Sequence, residues 1–136
     1  MKFLLDTNHW SYLQRRQPQV VARVVALAQD AQLHISVISQ GELLGGVESL
    51  PDGRRKAELR RLYEGVIGSA GLPIPIDAAI AERYSILVGQ LKRAGRPIVT
   101  NDMWIAATAL VHDLVVVTND AHFEFVNGLR IENWAS

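Results

Sequence analysis

Short apolar segments alternate with longer segments of helical periodicity along this chain, and this alternation is the strongest constraint on its fold. Helical patterns separate the apolar segments, at Thr7–Leu13, Val20–Gln32, Ser36–Glu48, Arg54–Ser69, Asp77–Ala94 and from about Thr100 onward. The candidate strands are Lys2–Leu5, Leu33–Ile35, Leu114–Val117 and Leu129–Ile131, with a further edge strand considered within the connector Gly71–Ile76. Strands separated by helices predict βαβ units. The sequence therefore predicts an α/β fold of three layers (α/β/α), in which helices cover both faces of a small, mainly parallel sheet.

The size and composition of the chain exclude several classes of protein. A chain of 136 residues predicts a single domain spanning residues 1–136. The absence of cysteine excludes disulfide scaffolds, thiol nucleophiles and Cys-ligated metal sites. No segment reaches the roughly 18 apolar residues of a membrane span, and the first residues do not form a signal peptide. We therefore expect a soluble cytoplasmic protein that does not bind a membrane.

Two acidic residues lie at or just beyond the ends of candidate strands. Asp6 comes after Lys2–Leu5, and Asp120 follows Leu114–Val117 by three residues. In open parallel sheets, ligands bind beyond the carboxyl ends of the strands. Asp102 lies in the first turn of a predicted helix, and Glu42 lies on the helix after the second strand. If these four carboxylates converge, either some are protonated or a cation lies between them. Oxygen ligands select a hard cation such as Mg²⁺ or Mn²⁺, and the chemistry such a site would support is phosphodiester hydrolysis by a metal-activated water.

Each acid, taken alone, also has a structural interpretation. Asp6 could cap the following helix, and Ser39 with Glu42 fits a capping box. Asp102 is favoured near a helix N-terminus by the helix dipole. Asp120 follows an asparagine in a sequence typical of turns. Only the occurrence of all four acids together favours a cation-binding site.

The order and context of these acids resemble the PIN-domain nucleases, and specifically the VapC-type toxins of prokaryotic toxin–antitoxin pairs. The resemblance covers essentially the whole chain. The matching segments are Leu5–Asn8, Ser36–Gly45, Asn101-Asp102 leading into Ile105–Ala107, Val117–Asp120 with Phe123, and Gly128–Trp134.

The resemblance implies a PIN-like α/β/α domain and a ribonuclease that depends on one or two Mg²⁺ or Mn²⁺ ions. It implies Asn8 as a polar residue that orients the first acid, and Thr118 as a hydroxyl group near the site. His122 departs from the family, since many relatives have an acid or another polar group there. The implied catalytic and metal-binding residues are Asp6, Glu42, Asp102 and the more variable fourth acid, Asp120.

The resemblance also implies partners, namely an RNA substrate, a VapB-type antitoxin and a second copy of the chain. Arg15 and Arg16 follow the helix of the first acid and are candidates for contact with RNA phosphates. Trp10 could stack on a base. The apolar face of Val20–Ala28 is a candidate dimer or antitoxin surface. The basic residues of Arg54–Arg61 alternate with acids, as on a solvated helix face.

Two other functions remain open at this point. One is a PIN-domain nuclease of RNA processing outside a toxin pair, which the absence of a neighbouring antitoxin gene would favour. The other is a non-catalytic RNA- or protein-binding PIN module, which Mn²⁺ binding without RNA cleavage would favour. The roles of His9 and His122, each within three residues of a proposed site acid, also remain open.

Overall fold

The centre of the fold is a parallel sheet of four strands. We describe it from a computed structural model that covers residues 1–136. The strands are β1 (Lys2–Leu5), β2 (Gln32–His34), β3 (Val115–Val117) and β4 (Ile131–Glu132). Their order across the sheet is β2-β1-β3-β4, and every adjacent pair is parallel. The prediction of an α/β fold with a small parallel sheet is confirmed.

Six α-helices connect and cover these strands, with a short 3₁₀ helix, Ala121–Phe125, between β3 and β4. None of the six helices is long and apolar enough to cross a membrane. The helices are α1 (Thr7–Gln14), α2 (Pro18–Ala26), α3 (Val37–Glu48), α4 (Arg54–Ser69), α5 (Ala78–Ala94) and α6 (Thr100–His112).

Side chains that alternate along the strands divide the core into two halves, one on each face of the sheet. Leu4 and Val116 lie on one face, where they join buried residues of α5 and α6 such as Leu87. Phe3 and Leu5 lie on the other face, where they join residues of α1 to α4 and of the C-terminal segment. All of these strand residues are almost completely buried. A strand covered on both faces must be apolar on both, which explains its continuous apolar sequence and confirms the three layers.

Several boundaries differ from the sequence-based predictions. Helix α2 ends at Ala26, not Gln32, because the chain turns there to bring Gln32 beside Lys2 in the parallel register of β1 and β2. This pairing also begins β2 one residue earlier than predicted. The strand predicted at Leu129–Ile131 is instead Ile131–Glu132, since a turn at Gly128 precedes it.

Two further local predictions have different outcomes. The edge strand considered within Gly71–Ile76 is reduced to one bridge, between Ile74 and Ser36. The predicted N-cap at the start of α5 is confirmed, because Asp77 Oδ1 accepts a hydrogen bond from Ile80 N at 3.0 Å. The 3₁₀ helix at 121–125 was not predicted.

The sheet brings distant acidic segments to one edge. Its register aligns Leu5 with Val117, and Asp6 N donates to Val117 O at 3.0 Å, so that the pairing extends one residue beyond β1. Thr118 N donates to Glu132 O at 2.9 Å, which continues β3 in the same way. Asp6 and the Thr118–Asp120 turn therefore leave the carboxyl edge of the sheet side by side.

Candidate active site

All four candidate acids line one cleft at the carboxyl edge of the sheet. The cleft has a volume of about 530 Å³, and no lysine or arginine lines it. Four carboxylates without a basic neighbour in the wall create a concentration of negative charge that favours a cation. The lining residues are Asp6, Thr7, Asn8, Glu42, Val99, Thr100, Asn101, Asp102, Asp120 and Phe123.

Asp6 both caps α1 and faces the cleft, so its two interpretations are compatible. Its Oδ1 accepts hydrogen bonds from His9 N at 2.8 Å and from His9 Nδ1 at 3.0 Å. Its Oδ2 accepts no hydrogen bond from the protein. Asp6 as a whole is buried, with 6% of its surface exposed. One oxygen of Asp6 is thus fixed by the protein, and the other remains available to a ligand in the cleft.

Glu42 is held across the cleft by α1. Thr7 Oγ1 donates to Glu42 Oε1 at 2.7 Å and lies 2.9 Å from Ser39 Oγ. The capping-box interpretation of Ser39 and Glu42 is wrong, because Ser36 is the N-cap of α3 and its Oγ accepts from Ser39 N at 3.1 Å. With Ser39 inside the helix, Glu42 lies in the second turn and is directed by Thr7.

Asp102 occupies the third position of α6, in the first turn as predicted. Burial and the charges of Asp120, Glu42 and Asp6 together raise the pKa of its carboxyl group from 3.8 to about 6, while His122 opposes the shift. The dipole of α6 favours a charged carboxylate at this position. The raised pKa means that burial and the three like charges outweigh that effect, and the other three acids all lie within electrostatic reach of Asp102.

The raised pKa of Asp102 predicts a pH-dependent stability in the presence of a chelator. Between pH 3.8 and about 6 the native state holds this proton more tightly than the unfolded chain, so the contribution of Asp102 to stability falls as pH rises through that window. Because the carboxyl group is half-exposed, solvent screening reduces the expected effect. We expect the free energy of unfolding of Asp102→Asn, relative to that of the wild type, to increase by roughly 1 kcal/mol between pH 4 and pH 7. Urea unfolding at both pH values measures this gain, and an unchanged difference between the two proteins would contradict it.

Asp120 caps the 3₁₀ helix that follows β3. Its Oδ1 accepts from His122 N at 2.9 Å and from His122 Nδ1 at 2.8 Å. Asp120 N donates to Thr118 Oγ1 at 3.0 Å, and Thr118 is buried. The turn interpretation of Asp120 is therefore correct, and the same turn directs its carboxylate to the cleft. Thr118 lies near the site as the resemblance implies, where it fixes the backbone of the fourth acid.

The donor chemistry of the cleft fits a hydrated hard cation. Asp6, Glu42 and Asp120 each use one carboxylate oxygen within the protein and leave the other free. No three Asp, Glu or His side chains lie close enough together to enclose an ion by themselves. This openness suits Mg²⁺ or Mn²⁺, because Mg²⁺ binds through one or two carboxylates and keeps several waters. It does not suit a closed tetrahedral zinc site.

Asn8 and Trp10 do not make the contacts that were predicted for them from the sequence. Asn8 lines the cleft but makes no hydrogen bond to Asp6, and His9 makes the orienting contact instead. The prediction that Trp10 contacts RNA is wrong, because Trp10 is 1% exposed and packs from α1 into the core.

The two arginines predicted to contact RNA do not line the cleft. Arg15 and Arg16 are exposed and form no ion pair. The Arg15 guanidinium lies 5.5 Å from the ring centre of Tyr12, whose hydroxyl accepts from Asn119 Nδ2 at 3.1 Å, one residue before Asp120. By contrast, Lys56 and Arg60 on α4 pair with nearby acids, as predicted for a solvated helix face.

The contribution of Thr7 was not predicted from the sequence, and the role of His9 was left open. Thr7 contacts Glu42 across 35 positions of sequence, so no local pattern indicates it. His9 lies three residues after Asp6, a spacing that places the two side chains at the first turn of α1. A histidine just after a capping acid is the one signal that could have indicated this contact.

Comparisons with known proteins agree with the geometry. The PIN domain family model matches residues 3–129. The chain is 35% identical to VapC ribonuclease Y4jK of Sinorhizobium fredii, covering 96% of this chain and 95% of that protein. It is 32% identical to the tRNA(fMet)-specific endonuclease VapC of Shigella flexneri, covering 99% of both. A structure of VapBC-1 from nontypeable Haemophilus influenzae superimposes with a TM-score of 0.88 at 28% identity, covering all of both chains.

Proposed function

The chain belongs to the PIN-domain family, and we propose that it is a metal-dependent endoribonuclease that acts as the toxin of a VapBC toxin–antitoxin pair. The observation that carries this proposal is the convergence of four carboxylates in a cleft without basic residues. Full-length similarity to a VapC ribonuclease and a tRNA-specific endonuclease supports RNA as the substrate. We also propose that residues 1–136 form one domain, since β1 and β4 come from the two ends of the chain and share a sheet.

The proposed chemistry is hydrolysis of a phosphodiester bond. Asp6, Glu42 and Asp102 would hold one Mg²⁺ or Mn²⁺ ion, in part through waters that the ion keeps, and Asp120 would support it or a second ion. Such an ion would supply Lewis acidity and would lower the pKa of a water, so that the water could act as the nucleophile. The carboxylates act as ligands and not as nucleophiles, because a dehalogenase-type phosphoaspartate mechanism would require a second aspartate at position 8, where Asn8 stands.

The protein contributes orientation and charge around this chemistry. Thr7 and His9 fix one oxygen each of Glu42 and Asp6, which limits the reorganisation needed when an ion binds. Val99 and Phe123 provide the apolar part of the cleft wall. Arg15 and Arg16 would bind RNA phosphates beside the cleft and balance the charge of the acids.

The proposed partners are an antitoxin of the VapB type and a second copy of the chain. The superposition on a VapBC-1 structure supports the antitoxin. Helix α2 offers an apolar surface outside the core, since Val25 is 79% exposed while Val20 on the same helix is fully buried. Leu62 on α4 is 54% exposed. These apolar residues fit a partner surface better than a solvated one.

Removal of divalent cations tests the proposed function. We expect purified protein to cleave total or transfer RNA with Mg²⁺ or Mn²⁺ and to lose activity in excess chelator, with recovery when the cation is restored. The measurement is the rate of appearance of RNA fragments carrying 5′-phosphates. Cleavage that continues unchanged in chelator would exclude the metal-dependent mechanism. Mn²⁺ binding without cleavage of any RNA would instead favour the non-catalytic module.

Asp120→Asn should reduce RNA cleavage less than Asp102→Asn. Asp120 is partly exposed, and the exposed His122 already occupies one of its two carboxylate oxygens. We expect a loss of about tenfold to a hundredfold, typical of a residue that supports a metal site. The rates of the two variants on one RNA, at saturating Mn²⁺, measure the difference. An equal loss in both variants would show that Asp120 is a full metal ligand.

A further inference from the structure

The Asp6 carboxylate is tethered by a histidine that takes no part in the cleft wall. His9 directs both its backbone N–H and its ring Nδ1 at Oδ1 of Asp6, at 2.8 and 3.0 Å. The ring is fully buried and packs edge-on against Tyr12, with ring centres 5.3 Å apart. A ring held in this way cannot rotate without moving its neighbours. Its hydrogen bonds therefore fix the orientation of the carboxylate plane.

The second ring nitrogen of His9 determines which tautomer is present. Trp134 N lies 3.4 Å from His9 Nε2, and a backbone N–H can only donate. Nε2 must therefore offer its lone pair, which leaves the hydrogen on Nδ1 to be donated to Asp6 Oδ1. The C-terminal segment thus orients His9, and His9 in turn orients Asp6, across 125 positions of sequence.

Asp120 and His122 repeat this arrangement in an exposed setting. There too the backbone N–H and Nδ1 of one histidine both contact Oδ1 of one aspartate. The His122 side chain, however, is 61% exposed, and no backbone N–H contacts its Nε2. Water competes for an exposed hydrogen bond, so this second tether is weaker. The buried tether on Asp6 is the one able to determine geometry.

We propose that His9 is a positioning residue that holds Asp6 Oδ1 and thereby presents Oδ2 to the cation in the cleft. This inference rests on the proposed function, because it assumes that Asp6 binds a metal ion. It assigns a role to a residue that touches neither the ion nor the RNA. Loss of a contact that orients a metal ligand lowers metal affinity by about tenfold to a hundredfold.

Two substitutions at position 9 distinguish the contributions of the two ring nitrogens. Asparagine places an amide N–H where Nδ1 lies, so His9→Asn keeps the contact with Asp6. Glutamine places its amide where Nε2 lies, so His9→Gln keeps a partner for Trp134 N but loses the donor to Oδ1. We expect His9→Asn to bind Mn²⁺ within about threefold of the wild type and His9→Gln to bind it about tenfold to a hundredfold more weakly.

The readout is the Mn²⁺ dissociation constant, measured by titration of the RNA-free protein, together with kcat/KM for RNA. His112→Gln, at the far end of α6 from Asp102, is the matched control and should bind Mn²⁺ as the wild type does. Equal Mn²⁺ affinity in His9→Gln and the wild type would overturn the proposal, as would equal weakening in both position-9 variants. If the wild type binds Mn²⁺ and cleaves no RNA, the proposed function fails while the Mn²⁺ comparison still tests His9.

A measurement on the unaltered protein tests the proposal even if a variant does not fold. The long-range ¹H–¹⁵N spectrum of the histidine rings reports the tautomer of each ring. We expect the buried His9 to carry its hydrogen on Nδ1, with slow exchange against solvent. A hydrogen on Nε2 would overturn the proposal, since Nδ1 could then not donate to Asp6.

Discussion

Asp102→Asn is expected to lower kcat/KM for RNA cleavage about a thousandfold or more, which corresponds to a loss of ~4 kcal/mol of transition-state stabilisation. Asp102 is the most strongly perturbed acid of the cleft, with a pKa raised to about 6 by burial and by three neighbouring carboxylates. A group in that environment costs energy while it is ionised and unpaired, and that cost is relieved when a cation binds. The asparagine has the same shape but no charge, so it removes the attraction for the cation.

The same substitution should stabilise the protein in chelator while it inactivates the enzyme. This opposite effect on activity and stability separates a lost function from a lost fold, and it can be measured on one preparation. The rate is followed on a fixed RNA with Mn²⁺, and the free energy of unfolding is followed in urea above pH 6. Activity within about tenfold of the wild type would contradict the role of Asp102 as a metal ligand. A large loss of stability would attribute the inactivation to unfolding instead.

Three of the four acids carry local signals in the sequence, two of them because parallel strands bring their carboxyl ends to one edge of a sheet. Asp6 and Asp120 follow strands β1 and β3, which are adjacent in the sheet, so their positions at the strand ends already predict that they meet. Asp102 near the start of a helix adds a carboxylate at a helix N-terminus, which is also a local feature. The site was predictable to the extent that its geometry follows from such local signals.

Contacts between distant segments could not be found in this way. The Thr7–Glu42 and His9–Trp134 contacts join residues far apart in sequence, and their existence depends on how α1 packs against α3 and the C-terminal segment. The capping-box prediction for Ser39 and Glu42 was wrong for a related reason. Two serines compete to begin α3, and only the buried, extended backbone at Ser36 decides which of them becomes the N-cap.

The balanced net charge of the chain also has a structural explanation. The 14 acidic and 14 basic residues are not evenly mixed. The cleft wall contains four acids and no base, while Lys56 and Arg60 of α4 pair with acids outside the cleft. A net charge of zero thus hides a local excess of negative charge, and that excess is the strongest physical argument for a bound cation.

Trp134→Ala should produce the largest loss of stability among single substitutions near the site, about 3–5 kcal/mol. Trp134 is fully buried and packs edge-on against Phe3 of β1, with ring centres 5.1 Å apart. Its indole Nε1 donates to Glu132 Oε1 at 3.0 Å. Truncation removes this bond and leaves a cavity against β1, the strand that ends directly before Asp6. Domains of this size are stable by about 5–15 kcal/mol, so the variant should remain folded but weakened.

The tryptophan at position 104 provides the matched control for this prediction. Trp104 is only partly buried and stacks on Tyr84 at the surface of α5 and α6, with ring centres 3.7 Å apart. The same truncation there should cost less, because solvent can fill the space that the ring leaves. Urea unfolding of both variants gives the comparison, and an equal or larger loss for Trp104→Ala would contradict the prediction. Trp134→Phe should fall between the wild type and Trp134→Ala, since it restores most of the packing but not the bond to Glu132.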